Sequence, residues 1–243
     1  LKKEKDVTRF LTHFLILGLV LAGCGQSKHL SLSLDPKLEG AQEAIANGNY
    51  DAAVSLTREV AAEVPATTAV TSEALYLEAY AMAYGWGDFR QARKPLTQLL
   101  ALPAEGPLGL ASQRLLADCD YWEGYYIRAG REYQKLAATS DAEIQDYANL
   151  QEANCLLLKN RVGDAITAYR VLVDKDSSKP VASMAQMMIA NIYLKIQNPS
   201  QAKTELQKLM SFTKNKVYQT DAQETLRQLE AQAPFQKSGG KAQ

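Results

Sequence analysis

The stretch YYIRAGREYQKL, residues 125–136, places Ala129, Tyr133 and Leu136 at i, i+4 and i+7. That spacing puts all three on one face of an α-helix. Nothing in twelve residues fixes a fold, but the stretch recurs. Asn49-Tyr50-Asp51-Ala52-Ala53, Asp88-Phe89-Arg90-Gln91-Ala92, Tyr125-Tyr126-Ile127-Arg128-Ala129, Arg161-Val162-Gly163-Asp164-Ala165 and Asn198-Pro199-Ser200-Gln201-Ala202 align on their last alanine. The alanines at 53, 92, 129, 165 and 202 are 39, 37, 36 and 37 residues apart. Self-similarity at such a period marks a repeat architecture.

Each unit has the same anatomy. Seven residues after its alanine stands an apolar residue: Val60, Leu99, Leu136, Leu172 and Leu209. Four after it stand Leu96, Tyr133, Tyr169 and Leu206, with Thr57 as the weak member. About twelve before it comes another small residue, Ala41, Ala117, Ala153 or Ala190; the second unit has Tyr80 there, unless one residue is inserted. Each unit therefore reads as two helices joined by a tight turn, with small residues where the pair crosses. Start signals agree. Ser140-Asp141-Ala142-Glu143 is a capping box, Asn198 followed by Pro199 gives an N-cap and first helical residue, and Pro107 can open a third helix. Pro95 falls inside a predicted helix, where a kink costing about 3 kcal/mol is expected. Ala222, Leu226 and Leu229 give a last helix over roughly 216–231 that is apolar on one side, as the cap of a repeat stack must be.

The units resemble the tetratricopeptide repeat (TPR), a helical hairpin with the pattern A-x3-F near its second helix. Ala129-x3-Tyr133 and Ala165-x3-Tyr169 match it, and Pro65 and Pro103 stand as closing prolines. The first-helix Trp-x2-Leu-Gly signature is missing, and connections such as Asp174 to Lys179 absorb a longer period. The expected fold is all-α: a TPR-like right-handed superhelical solenoid of about five hairpins plus a C-terminal capping helix. The resemblance implies a concave groove lined by the first helices, showing Arg114, Asp118, Tyr121, Asn154, Leu157, Asn191 and Leu194. Asn154 and Asn191 fall where the family often uses Asn to hold a peptide backbone. Leu150 and Met187 replace the lysines of its carboxylate clamp. Tyr76, Tyr80 and Tyr84, at i, i+4 and i+8 and joined by Trp86, are a second candidate: an aromatic surface whose tyrosines combine contact area with a polar tip.

The N-terminal residues speak to location. The apolar run Phe14–Ala22 is nine residues long, against the twenty or so that a spanning helix needs. Lys2, Lys3, Lys5 and Arg9 precede it, as in a signal peptide. Leu21-Ala22-Gly23-Cys24 resembles the lipobox of bacterial lipoproteins. That resemblance implies cleavage before Cys24 and its acylation, palmitate-type chains on the new N-terminus, and a protein lipid-anchored in the bacterial cell envelope. Gly25 and Gln26 imply the outer membrane, facing the periplasm. The expected organisation is a signal peptide over 1–23, lipidated Cys24 and a tether over 24–35, a repeat domain over 36–232, and a disordered tail over 233–243. As a flexible chain the eleven residues Gly25 to Asp35 span about 18 Å, and about 36 Å when straight.

Composition excludes several functions. Residues 1–23 carry four basic and two acidic side chains, so the remainder holds 23 basic and 25 acidic ones, a net of −2. A chain so nearly neutral lacks the footprint of a nucleic-acid binder. The two histidines, His13 and His29, precede the repeats, so histidine triads, Cys-His pairs and most zinc sites are not available to the repeat domain. No phosphate loop occurs, and Gly85-Trp86-Gly87 lacks the third glycine of a dinucleotide loop. No cofactor and no metal are expected. Cys119 and Cys155, 36 residues apart, hold equivalent places. Their Cα atoms should be about 9–10 Å apart, as in packed helices, beyond the reach of a disulfide. Two free buried thiols follow.

These features point to a non-catalytic scaffold whose partners are envelope proteins or extended peptide segments. Size, anchor and repeat number are similar to BamD-type lipoproteins of outer-membrane barrel assembly and to type IV pilus pilotins, though the aromatic-Pro repeat endings of the former are missing. The competing readings are an envelope hydrolase and a small-ligand module on the same solenoid.

Overall fold

The computed structural model describes residues 36–65, 68–102, 106–139 and 141–238, with side chains through residue 231. Cys24 and the whole N-terminal segment lie outside the described residues, as does the end of the tail after Ser238. The described chain is all-α. In order come α1 (Pro36–Ala46), α2 (Tyr50–Glu63), α3 (Ala69–Tyr80), which a π-helical segment (Ala81–Gly85) extends, and α4 (Phe89–Leu100). Then follow α5 (Pro107–Trp122), α6 (Tyr126–Ala137), α7 (Ala142–Leu158) and α8 (Val162–Lys175). Last are α9 (Pro180–Lys195), α10 (Pro199–Phe212) and α11 (Lys216–Ser238). Each helix packs chiefly on its neighbours in sequence. The result is five hairpins, α1/α2 through α9/α10, closed by α11. This last helix begins where the apolar pattern places it and continues through the first residues assigned to the tail.

The repeat register is the core. Ala53, Ala92, Ala129, Ala165 and Ala202 are fully buried, and so are Ala41, Ala117, Ala153 and Ala190 in the first helices. Val60, Leu99, Leu136, Leu172 and Leu209 are buried on the same face, two turns further along. A single hairpin cannot cover these side chains from both sides, so neighbours must stack.

The second unit shows where its extra residue goes. In hairpins 1, 3, 4 and 5, the N–H that opens the second helix donates to a carbonyl five residues earlier: Asn49 to Ala44, Tyr125 to Asp120, Arg161 to Leu156 and Asn198 to Tyr193. In hairpin 2 the equivalent Asp88 N–H donates to Met82, six residues earlier. Each of these carbonyls lies three residues after the small crossing residue, which makes Ala79, fully buried, the counterpart in hairpin 2. The π-helical segment, with its wider turn, absorbs the insertion. Gly85 ends that segment, and a Cβ there would run into the Tyr50 ring.

The hairpin turns share one more device. Gly48, Gly87, Gly124, Asn160 and Gln197 each adopt positive φ one residue before the second helix's N-cap. This left-handed residue closes a helix C-terminus and satisfies its last carbonyls. Asn198 caps α10 with Pro199 as its first residue, and Pro107 opens α5, as expected. Asp141, not Ser140, caps α7, accepting from the Glu143 and Ile144 N–H groups; Ser140 itself lies outside the described residues. Pro95 is buried inside α4. Cys119 and Cys155 are buried free thiols, and burial pushes the Cys155 thiol up to about 12.

Candidate functional site

Most buried polar residues among the described ones lie on first helices, three each in hairpins 2, 3 and 4. Asp118 follows the crossing residue Ala117 on α5 and is 1% exposed. Its carboxylate accepts three phenol hydroxyls: Tyr84 at 2.5 Å, Tyr133 at 2.6 Å and Tyr147 at 2.8 Å. The donors come from the π-helical extension of α3, from α6 and from α7, so one carboxylate ties three hairpins together. Arg114, one turn earlier on α5, lies 4.9 Å from the centre of the Tyr147 ring. It supplies the positive charge that a buried carboxylate needs. Burial first, then the Asp118 charge, holds the Tyr84 and Tyr133 phenols well above their ordinary pKa.

Hairpin 4 repeats the device with an amide. Asn154 follows Ala153 as Asp118 follows Ala117, and Tyr169 stands on α8 as Tyr133 stands on α6. The Tyr169 hydroxyl donates to Asn154 Oδ1, and Asn154 Nδ2 donates to Gln151 Oε1 at 2.9 Å. Hairpin 5 has Asn191 at the same place, but Leu206 replaces the tyrosine, and Asn191 is exposed. The expectation that Asn154 and Asn191 act as a pair therefore fails on Asn154. With 5% exposure and both amide atoms engaged, it serves the hairpin's own packing.

The other predicted groove residues divide the same way. Tyr121 is buried, its ring between Trp122 and Tyr126 at 5.4 and 5.7 Å. Arg114 is half-buried. Leu157 and Leu194 are half-buried too, and Asn191 is the exposed residue of the set. The tyrosine stripe is largely internal. Tyr76 is buried, Tyr80 lies tilted between it and Tyr84 with ring centres 6.3 and 4.9 Å away, and Tyr84 continues through Phe89 to Trp122. Trp86 stands apart, donating its indole N–H to Asp51 at 2.8 Å.

Other buried polar residues escape a reading by pattern. Asp120, 2% exposed, accepts two hydrogen bonds from Arg128 at 2.6 Å each and one from Arg93, clamping α4, α5 and α6. Gln186, fully buried, donates to the Glu205 carboxylate at 2.7 Å, which Arg170 also reaches at 3.1 Å. Asp120 carries one signal in sequence, a polar residue where the other hairpins have Ala44, Met82, Leu156 and Tyr193; Gln186 carries none, since Lys37, Gln113 and Asn149 hold its register position in hairpins 1, 3 and 4. Among the described residues no group of three or more His, Cys, Asp or Glu could hold a metal ion. Among them, too, no helix is long and apolar enough to cross a membrane.

No protein-family model matches the chain, and no curated protein matches it. Solved structures do. A Podosopora anserina structure named for a kinesin light chain with nearly identical TPR-like repeats is 20% identical, with a TM-score of 0.56 over 81% of this chain and 94% of that one. A single-substitution form of that same protein is 22% identical with the same TM-score, over 83% and 95%. A thermophilic TPR protein of Thermus thermophilus is 17% identical, with a TM-score of 0.50 over 78% and 97%. At these identities the likeness shows the fold: a TPR-like repeat array.

Proposed function

We propose that the protein is a non-catalytic scaffold, held on a bacterial envelope membrane through Cys24, that captures partner proteins along its repeat array. The observation that carries this reading is the array itself. Stacked helical hairpins build an extended surface from successive units, which suits extended segments better than small substrates. Asn191 supports it. Its amide can donate and accept together, as an unpaired backbone requires, and it is exposed on α9, three residues before half-buried Leu194. The lipobox at Leu21–Cys24 supports the anchor and the envelope, and barrel assembly or pilus biogenesis fits a lipoprotein of this size. Two or more acyl chains on one cysteine hold stably.

A photocrosslinking residue at position 191, used in intact cells, tests the groove. Recovery of a defined partner that is lost on Leu194→Asp supports it. Crosslinks no different from those of a probe at exposed Glu224 sink it. Cys24→Ala should move the protein from membrane to soluble fractions; continued membrane association would defeat the anchor.

A further inference from the structure

Because the hairpins stack in register, their five internal turns form one edge of the array. Seven large hydrophobic side chains are exposed among the described residues. Five of them, Trp86, Tyr125, Ile127, Leu158 and Ile196, lie within three residues of a turn's positive-φ residue. Among the described residues, this edge is therefore where exposed apolar side chains concentrate.

Charge divides the turns. Asp88 adjoins Gly87 in hairpin 2, and Glu123 adjoins Gly124 in hairpin 3. Within three residues of Asn160 and of Gln197 there is no acid, only Lys159, Arg161 and Lys195. Arg161 pairs with Asp164 at 2.6 Å. Lys159 and Lys195 are exposed and have no carboxylate partner among the described residues. Each is next to an aliphatic side chain about half exposed, Leu158 at 47% and Ile196 at 49%. Leu158-Lys159-Asn160 and Lys195-Ile196-Gln197 thus combine the same three elements: aliphatic, cation and amide. The amide occupies the left-handed position that glycine fills in the first three hairpins.

We propose that the tips of hairpins 4 and 5 rest on an anionic phospholipid surface. Leu158 and Ile196 enter the boundary between headgroups and acyl chains, while Lys159 and Lys195 meet phosphate charge. Apolar side chains flanked by unpaired cations are what such an interface recognises. Protruding tips also suit a flat, yielding surface, whereas peptide recognition uses an edge or a groove that encloses its ligand. The inference rests on the proposed anchor only for delivery to a bilayer. Together, the anchor and the tips would fix the orientation of the array.

The test uses the lipidated full chain with Ile196→Cys carrying an environment-sensitive nitrobenzoxadiazole probe. Cys119 and Cys155 are buried and should not compete for the label. On vesicles of equal parts phosphatidylglycerol and phosphatidylcholine the probe should brighten several-fold over phosphatidylcholine alone. The same probe on Val171→Cys, exposed on α8 away from the turns, should stay dim. Lys159→Glu with Lys195→Glu should return the Ile196 probe to that level. An Ile196 probe as dim as the Val171 probe on both vesicles overturns the proposal. So does brightening with soluble polyglutamate but not with vesicles, which would assign the tips to an acidic protein. Flotation is scored separately: its loss defeats the anchor, and the probe's response to added vesicles still decides the tip contact.

Discussion

Removing the Asp118 carboxylate should unfasten the middle of the array. Asp118→Ala deletes the acceptor of three phenol hydroxyls. Tyr147 is half-buried and can turn to water. Tyr133 is fully buried and cannot. A stranded buried hydroxyl costs about 1–3 kcal/mol. Losing the countercharge beside Arg114 raises the total to about 3–5 kcal/mol, as for a broken buried pair. For a chain of this size that is a fall in Tm of about 10 °C. Asp118→Asn keeps the shape: its Oδ1 still accepts from Tyr133 and Tyr147, and Tyr84 can rotate to accept from the new N–H. It spares the hydroxyls but still removes the charge beside Arg114, so it should cost about 2 kcal/mol, the charge contribution alone. Urea unfolding followed by circular dichroism measures both variants, and hydrogen exchange locates the loss. Protection should fall first in α5, α6 and α7, because repeat arrays open by unit. An Asp118→Ala loss below about 1 kcal/mol, or one equal to that of Asp118→Asn, would refute the role given to this carboxylate.

The remaining predictions concern single contacts and pH. Gly85→Ala drives a Cβ into the Tyr50 ring and should cost about 1–3 kcal/mol; Tyr50→Ala should recover most of it in a double-mutant cycle, and additive costs would show that the ring is not the obstacle. Gln197→Gly relieves a left-handed glutamine and should raise stability by about 0.5–1 kcal/mol, whereas Gly124→Ala, at φ 88°, should lower it by about 1 kcal/mol; unchanged unfolding midpoints would rule out strain at these turns. Burial raises the Tyr84, Tyr133 and Tyr169 phenols above their value of 10.0, and Tyr218 to about 12. The unfolded chain therefore loses these protons first, and stability is full below about pH 10 and falls as pH rises beyond it. Phenolate absorbance should rise together with loss of helix; complete ionisation near pH 10 with the helices intact would contradict this.

What failed to transfer from pattern to structure is instructive in Asn154 and Asn191. Both follow a crossing alanine, and helical spacing makes them equivalent. Their fates are set fifteen residues later, where Tyr169 reaches back to Asn154 and Leu206 offers nothing to Asn191. Tyr76, Tyr80 and Tyr84 show the same limit. Their spacing declares one helix face, but not that α5 brings Asp118 against Tyr84. The one-residue ambiguity at Tyr80 is legible as an alternative, and the carbonyl register resolves it in favour of Ala79.

Spacing and recurrence alone are enough for the number of hairpins, four of their five crossing alanines, the apolar residues between them and the closing helix. These follow from i, i+4 and i+7 spacing within each helix and from recurrence along the chain, both of which are local in sequence. Which polar residues the fold consumes, which face outward, and where the extra residue of the second hairpin is taken up depend on contacts between helices. A buried polar group is stable only beside a partner, and the partners of Asp118 and Asn154 stand on other helices, at distances in sequence that no periodicity prescribes.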